Sequence, residues 1–131
     1  MREQEGIRLR DQDPIAAYCL SKKAATEDYP FGPLPLVAKV GGKMFALLSL
    51  TAEGKVDNLS LKCDPVIAEN LREQHAAVQP GYHLNKKHWN TVILDGSLTE
   101  EDLHKMIDHS YELVLKGLPK AERMAISQRF V

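Results

Sequence analysis

The spacing of apolar residues changes period along the chain, and each change marks an element. Behind Asp13-Pro14, the residues Ile15, Ala16, Cys19 and Leu20 recur at helical spacing. An Asp oxygen can accept an orphan amide proton, and Pro has no amide proton to lose, so the pair predicts a helix start. The stripe predicts a short helix ending near Lys22 or Lys23. Tyr29-Pro30-Phe31-Gly32-Pro33-Leu34-Pro35 then breaks the period with three prolines and a glycine, which neither a helix nor a central strand tolerates. It is read as a loop whose two aromatics pack down. From Leu36 the pattern is that of strands: Leu36 to Val40, Met44 to Leu50 and Lys55 to Cys63, separated by Gly41-Gly42 and Ala52-Glu53-Gly54. These predict a three-stranded antiparallel meander. In its third strand Leu59, Leu61 and Cys63 alternate with Asn58, Ser60 and Lys62, giving one buried and one wet face. The middle strand is apolar on both faces from Met44 to Leu48, so a helix, a loop or a partner subunit must cover part of its second face.

Asp64-Pro65 repeats the cap-plus-proline signal, and Ile67, Ala68 and Leu71 extend a second helix to about His75. Pro80-Gly81 ends that unit. Tyr82-His83-Leu84 and Trp89 to Leu94 are read as two short strands joined by the polar hairpin tip Asn85-Lys86-Lys87-His88. Ser97 and Thr99 compete to cap the last helix, each with an acid three positions on. Leu103, Met106, Ile107, Ser110, Tyr111, Val114 and Leu118 trace one of its faces, and Gly117 with Pro119 stops it. Residues 1–12 read as a loosely held lead-in, and 120–131 as a tail that adds one amphipathic turn or frays. The order α-β-β-β-α-β-β-α predicts one α+β domain over 1–131, a two-layer α/β sandwich with an antiparallel sheet and its helices on one face.

Composition narrows the class. The chain has 131 residues, with 17 Lys and Arg against 18 Asp and Glu, a net charge of −1 and 44% hydrophobic residues. That is too balanced for a polycationic tail and too apolar for disorder, and it is long enough for a core without a disulfide or metal staple. Two Cys without a CxxC suit free thiols in a reducing compartment. The start of the chain has no signal-peptide apolar region, and the run Met44 to Leu48 is too short to span a membrane. A cytoplasmic address is expected.

The most unusual stretch is Gly81 to Asn90, with two Lys, two His, two Asn and two aromatics and no acid. Ammonium groups attract phosphates, amides read base edges and aromatic faces stack on bases, so this inventory suits a nucleic acid. The plainer reading is a solvated hairpin tip with Trp89 in the core or a dimer seam. No metal or cofactor is expected: His83, His88, His104 and His109 lack the i, i+4 ligand spacing, and His104 with Asp108 reads as a surface pair. Cys19 and Cys63 fall on inward phases as inert thiols. The serines lack a G-x-S-x-G elbow, Gly41-Gly42-Lys43 is a hairpin turn rather than a phosphate loop, and Glu27 and Asp28 read as caps or surface charges. Nucleophile, base and oxyanion group do not assemble from spacing, so no enzyme is expected.

Five ordered strings carry a resemblance: Thr26-Glu27-Asp28-Tyr29-Pro30-Phe31-Gly32-Pro33, Lys39 to Ala46, Leu61-Lys62-Cys63-Asp64-Pro65, Pro80 to Asn90, and Leu94-Asp95-Gly96-Ser97. Together, from about Pro14 to Leu118, they resemble the MmcQ/YjbR family of small bacterial proteins. The resemblance implies a fold like that of type III secretion chaperones and frataxin-like proteins, and a DNA-binding role through a double-wing arrangement. Lys22-Lys23-Ala24 departs from the Leu-Pro-Gly common after the first helix, and His75-Ala76 from an aromatic followed by proline. The reading is a non-enzymatic binding module for nucleic acid, DNA rather than RNA. Its candidate contacts are Lys43, Lys62, Tyr82, His83, Asn85, Lys86, Lys87, His88, Trp89 and Asn90. The alternative is a protein–protein or chaperone-like module using the open sheet face. No membrane contact is expected, and the oligomeric state is left open.

Overall fold

A computed structural model describes residues 13–129; the expectation of a lead-in over 1–12 lies outside them. Helix α1 (Pro14–Leu20) starts where the cap signal predicts, with Asp13 Oδ1 accepting from the amides of Ile15 and Ala16. The other oxygen, Oδ2, accepts from Val56 N at 2.8 Å, so one carboxylate caps the helix and ties it to the sheet. The strands are β1 (Thr26–Asp28), β2 (Leu36–Val40), β3 (Lys43–Leu50), β4 (Val56–Lys62), β5 (Val78–Pro80) and β6 (Trp89–Ile93). They form one antiparallel sheet in the order β1-β2-β3-β4-β6-β5. The helices α2 (Pro65–Gln74), α3 (Glu100–Lys116) and α4 (Lys120–Ser127) complete a mixed α/β fold.

Register divides the sheet into two faces. One cross-strand row runs Leu36, Leu48, Leu59, Val92, Val78, and all five are buried. With Ile15, Cys19, Leu103, Ile107 and Val114 it makes the core beneath α1 and α3. The row one residue along, Val37, Leu47, Ser60, Thr91, Gln79, points to the opposite, outer face, as a two-residue period requires.

A bulge explains the doubly apolar middle strand. Ala38 pairs with Ala46 but Lys39 pairs with Met44, leaving Phe45 as the extra residue. Phe45 and Ala46 are therefore both buried, and the Phe45 ring meets Tyr111 of α3 edge to face at 5.3 Å. Within the apolar run Met44 to Leu48, Met44 and Leu47 remain half-buried for other cover.

Several expectations are corrected. The partner of β6 is Val78–Pro80, not Tyr82–Leu84, because Gly81 N–H donates to Trp89 O and the chain then leaves the sheet. Short β1 was not anticipated; it pairs Thr26, Glu27 and Asp28 with Lys39, Ala38 and Val37. The last segment forms a full helix, α4, rather than one turn. Thr99, not Ser97, caps α3, through Asp102 N at 3.0 Å. His104 meets Asp108 only electrostatically, through space: it stacks on Tyr18 at 3.7 Å and lies 3.7 Å from Glu100, while Asp108 Oδ1 accepts from Tyr18 Oη and Lys22 Nζ, each at 2.7 Å. The 29–35 loop packs down through half-buried Tyr29, whereas Phe31 stays 61% exposed.

Candidate nucleic-acid interface

The segment between β5 and β6 is a structured loop whose conformation comes from its own polar groups. Gly81 stands at its neck, where a Cβ would lie 2.8 Å from Trp89 Cβ and 3.0 Å from Trp89 O, so only glycine lets the two chains approach. Tyr82 N donates to Thr91 Oγ1 at 3.0 Å, and Thr91 Oγ1 is 2.8 Å from Ser60 Oγ, which pins the loop to the outer face. His83 follows in the left-handed region at φ 59°, with its ring 3.9 Å from that of Tyr82. Asn85 Oδ1 accepts from the amides of Lys87 and His88, closing the turn before β6.

The ten candidates therefore separate into scaffold and surface. Asn85 is spent on the turn. Asn90 is buried, donating to Ala68 O and accepting from Arg72 Nη1 at 2.7 Å. Lys86 is exposed, and its Nζ donates back to Gly81 O at 3.0 Å. Tyr82, His83, Lys87 and His88 are exposed and, unlike the equally exposed Asn85 and Lys86, their side chains make no hydrogen bond within the loop.

Lys43, Lys62 and Trp89 come together elsewhere. Lys62 and Trp89 are cross-strand partners at the end of β4 and β6, and with Lys43 they line a hollow of about 370 Å³ that also touches Leu113 and Gly117 at the end of α3. No carboxylate lines it. Such a site attracts an anion without the competition of an internal ion pair.

A second depression was missed from sequence. It lies on the outer face, about 380 Å³ in volume, between Phe31 of the β1–β2 loop and Tyr82 and His83 of the β5–β6 loop. Its floor is Leu47, Ser49, Asn58 and Ser60. The alternation of β4 foretold the polar floor, but nothing local says that two loops some fifty residues apart flank the same strands.

Cys63 lies beside Lys62 yet is buried, and burial together with the Asp64 charge pushes its thiol up to about 11. Cys19, buried and near Asp13, is raised to about 12. Both thiols are protonated at neutral pH. Among the described residues no cluster of three or more His, Cys, Asp or Glu could hold a metal ion, and no helix is long and apolar enough to cross a membrane.

Sheet order, core and surface together define a small α/β protein with a six-stranded antiparallel sheet, one face packed beneath α1 and α3 and the other flanked by loops. The chain belongs to the YjbR family, whose model matches residues 20–113. It is 37% identical over 117 residues to YjbR of Escherichia coli strain K12, spanning 87% of this chain and 95% of that one. It is 29% identical over 114 residues to YyaQ of Bacillus subtilis strain 168, spanning 78% of this chain and 96% of that one. Among solved structures it is similar to the Deinococcus radiodurans protein DR2400, domain DUF419, at 42% identity and a TM-score of 0.76 over 86% of this chain and 85% of that one. A Pseudomonas syringae protein matches at 28% identity and a TM-score of 0.63 over 87% and 99%.

Proposed function

We propose that this chain is a non-enzymatic, cytoplasmic DNA-binding module, a two-layer sandwich whose helices stiffen the sheet and whose sheet end beside α3, together with the outer face and β5–β6 loop, meets the ligand. The observation that carries this reading is the gathering of Lys43, Lys62 and Trp89 at one carboxylate-free hollow. Lys87 and His88 add positive or hydrogen-bonding groups in solvent. Three lysines make few phosphate contacts, so binding is weak and salt-sensitive, with log K falling against log salt at a slope of about −3 on a duplex. The test is fluorescence anisotropy on labelled duplex and single-stranded DNA across a salt titration. The double variant Lys43→Glu/Lys62→Glu weakens binding to all sequences and flattens the slope to about −1. No detectable binding by the unaltered protein at low salt overturns the proposal.

A second reading, a protein-binding module, is favoured by a different surface. Val66 and Ile67 at the start of α2 are 68% and 42% exposed beside a small apolar cavity lined by Leu61, Cys63, Leu71 and Met106. Val66→Glu/Ile67→Glu abolishes capture of a partner under this reading and leaves DNA affinity unchanged under the first.

A further inference from the structure

The depression on the outer face has a chemistry distinct from the lysine-lined hollow. Its two walls carry aromatic rings held out into water, Phe31 at 61% and Tyr82 at 71% exposure. Ring faces left in solvent cost apolar hydration, and a flat π-system stacked on each removes it. Between the walls the floor offers hydrogen-bonding side chains, Ser49 and Asn58, with Leu47 as an apolar step and the buried Ser60 hydroxyl held by Thr91 beneath, and no carboxylate lines the groove. Asn58, Ser60 and Lys62 stand on the same face of β4, each about 7 Å from the next by the two-residue repeat of a strand. Strand alternation thus continues the polar floor toward Lys62, a residue that also lines the carboxylate-free hollow at the end of α3.

We infer that this groove takes a segment of single-stranded DNA, with one base stacked on Phe31, another on Tyr82, and the backbone running toward Lys62. The inference rests on the DNA-binding reading and narrows it. Duplex DNA keeps its base faces inside the stack, so it cannot use rings presented in this way, whereas an unpaired strand offers a π-face at every base. The charge pattern agrees, since a groove with no carboxylate in its lining, on a strand face that continues to Lys62, fits a polyanion. Leu47 beside the polar floor, with Leu84 on the Tyr82 wall, suits the methyl group of thymine and favours DNA over RNA.

The experiment measures anisotropy of fluorescein-labelled oligo(dT), oligo(rU) and a mixed-sequence duplex of equal length against the full chain. Oligo(dT) binds at least tenfold more tightly than either of the others. Phe31→Ala and Tyr82→Ala each weaken oligo(dT) binding roughly 5- to 100-fold, as loss of one stacked base requires, with the melting temperature and salt slope unchanged. Phe31→Leu weakens it as much as Phe31→Ala, because the ring and not mere apolarity is used, and Tyr82→Phe retains it. Equal affinity for duplex, or unchanged oligo(dT) affinity in the Phe31→Ala/Tyr82→Ala variant, overturns the single-strand groove while leaving the DNA-binding reading in place. Oligo(rU) binding as tightly as oligo(dT) overturns the choice of DNA. No binding to any of the three overturns both proposals.

Discussion

Ser110 Oγ of α3 donates to Phe45 O at 2.6 Å and accepts from Lys62 N at 2.9 Å, so one buried hydroxyl bridges the bulge of β3 and the end of β4. The bulge breaks the regular ladder at Phe45, and the hydroxyl satisfies the carbonyl there. Ser110→Ala removes the hydroxyl but leaves both backbone groups in place, and it destabilises the protein by about 1–3 kcal/mol. Urea unfolding followed by Trp89 fluorescence measures this. A midpoint equal to that of the unaltered protein would show that water reaches both groups.

Asp13 serves two elements with two oxygens, Oδ1 for the amides of Ile15 and Ala16 and Oδ2 for Val56 N. Asn can keep the helix cap through its carbonyl oxygen, but its NH2 group cannot accept from Val56. Asp13→Asn is therefore milder than Asp13→Ala, and the Ala variant costs about 2 kcal/mol, at the upper end for a lost cap. Equal destabilisation by the two substitutions, measured as denaturant midpoints, contradicts the division of labour.

The α1–α3 contact titrates at both ends of the pH scale. Burial opposes ionisation of Asp108, but its bonds from Lys22 and Tyr18 outweigh that and hold its carboxyl below the usual range. A carboxyl depressed on folding adds stability above its unfolded value of about 4, and that stability is lost as pH falls through the folded value. Asp108→Asn thus flattens the acid side of the stability curve. The bond to Asp108, with burial and the Asp108 charge, raises Tyr18 to about 12. Its contribution is complete below the unfolded value of about 10 and is lost as pH rises through the folded value, so Tyr18→Phe flattens the alkaline side. Denaturant midpoints across pH test both; an acid side unchanged by Asp108→Asn removes this carboxylate from the account.

Both cysteines react slowly. Burial is the first cause of each raised thiol, with Asp13 adding to Cys19 and Asp64 to Cys63. A mild disulfide reagent at neutral pH modifies neither thiol quickly in the folded protein and both on addition of denaturant, with Cys19 the slower of the two. Rapid folded-state labelling of Cys63 would show that the cavity between α2 and α3 admits the reagent.

Local chemistry was enough for much of this fold. Asp13-Pro14 and Asp64-Pro65 start α1 and α2 because a side-chain acceptor and a missing amide proton act within one turn. The alternation of β4 placed Leu59 and Leu61 inward and Asn58 and Ser60 outward without knowledge of any partner, since a strand's faces follow from its own period. The family resemblance was also legible, because its strings are local.

Tertiary structure decided what depends on distant partners. Phe45 looks like an outer-face residue until the register slip against β2 turns it inward, and a bulge is a property of a pair of strands. Tyr82-His83-Leu84 has the composition of a strand, yet β6 is already paired with Val78–Pro80, and Tyr82 N is taken by the Thr91 hydroxyl. Lys86 and Lys87 are alike in sequence, but only Lys86 reaches the Gly81 carbonyl. Phe31 and Tyr82 face one groove because the β1–β2 and β5–β6 loops flank the same outer face, and strand order is set by burial of the opposite face under α1 and α3. Side-chain period is written residue by residue; which residues become neighbours follows from how the whole chain removes its apolar surface from water.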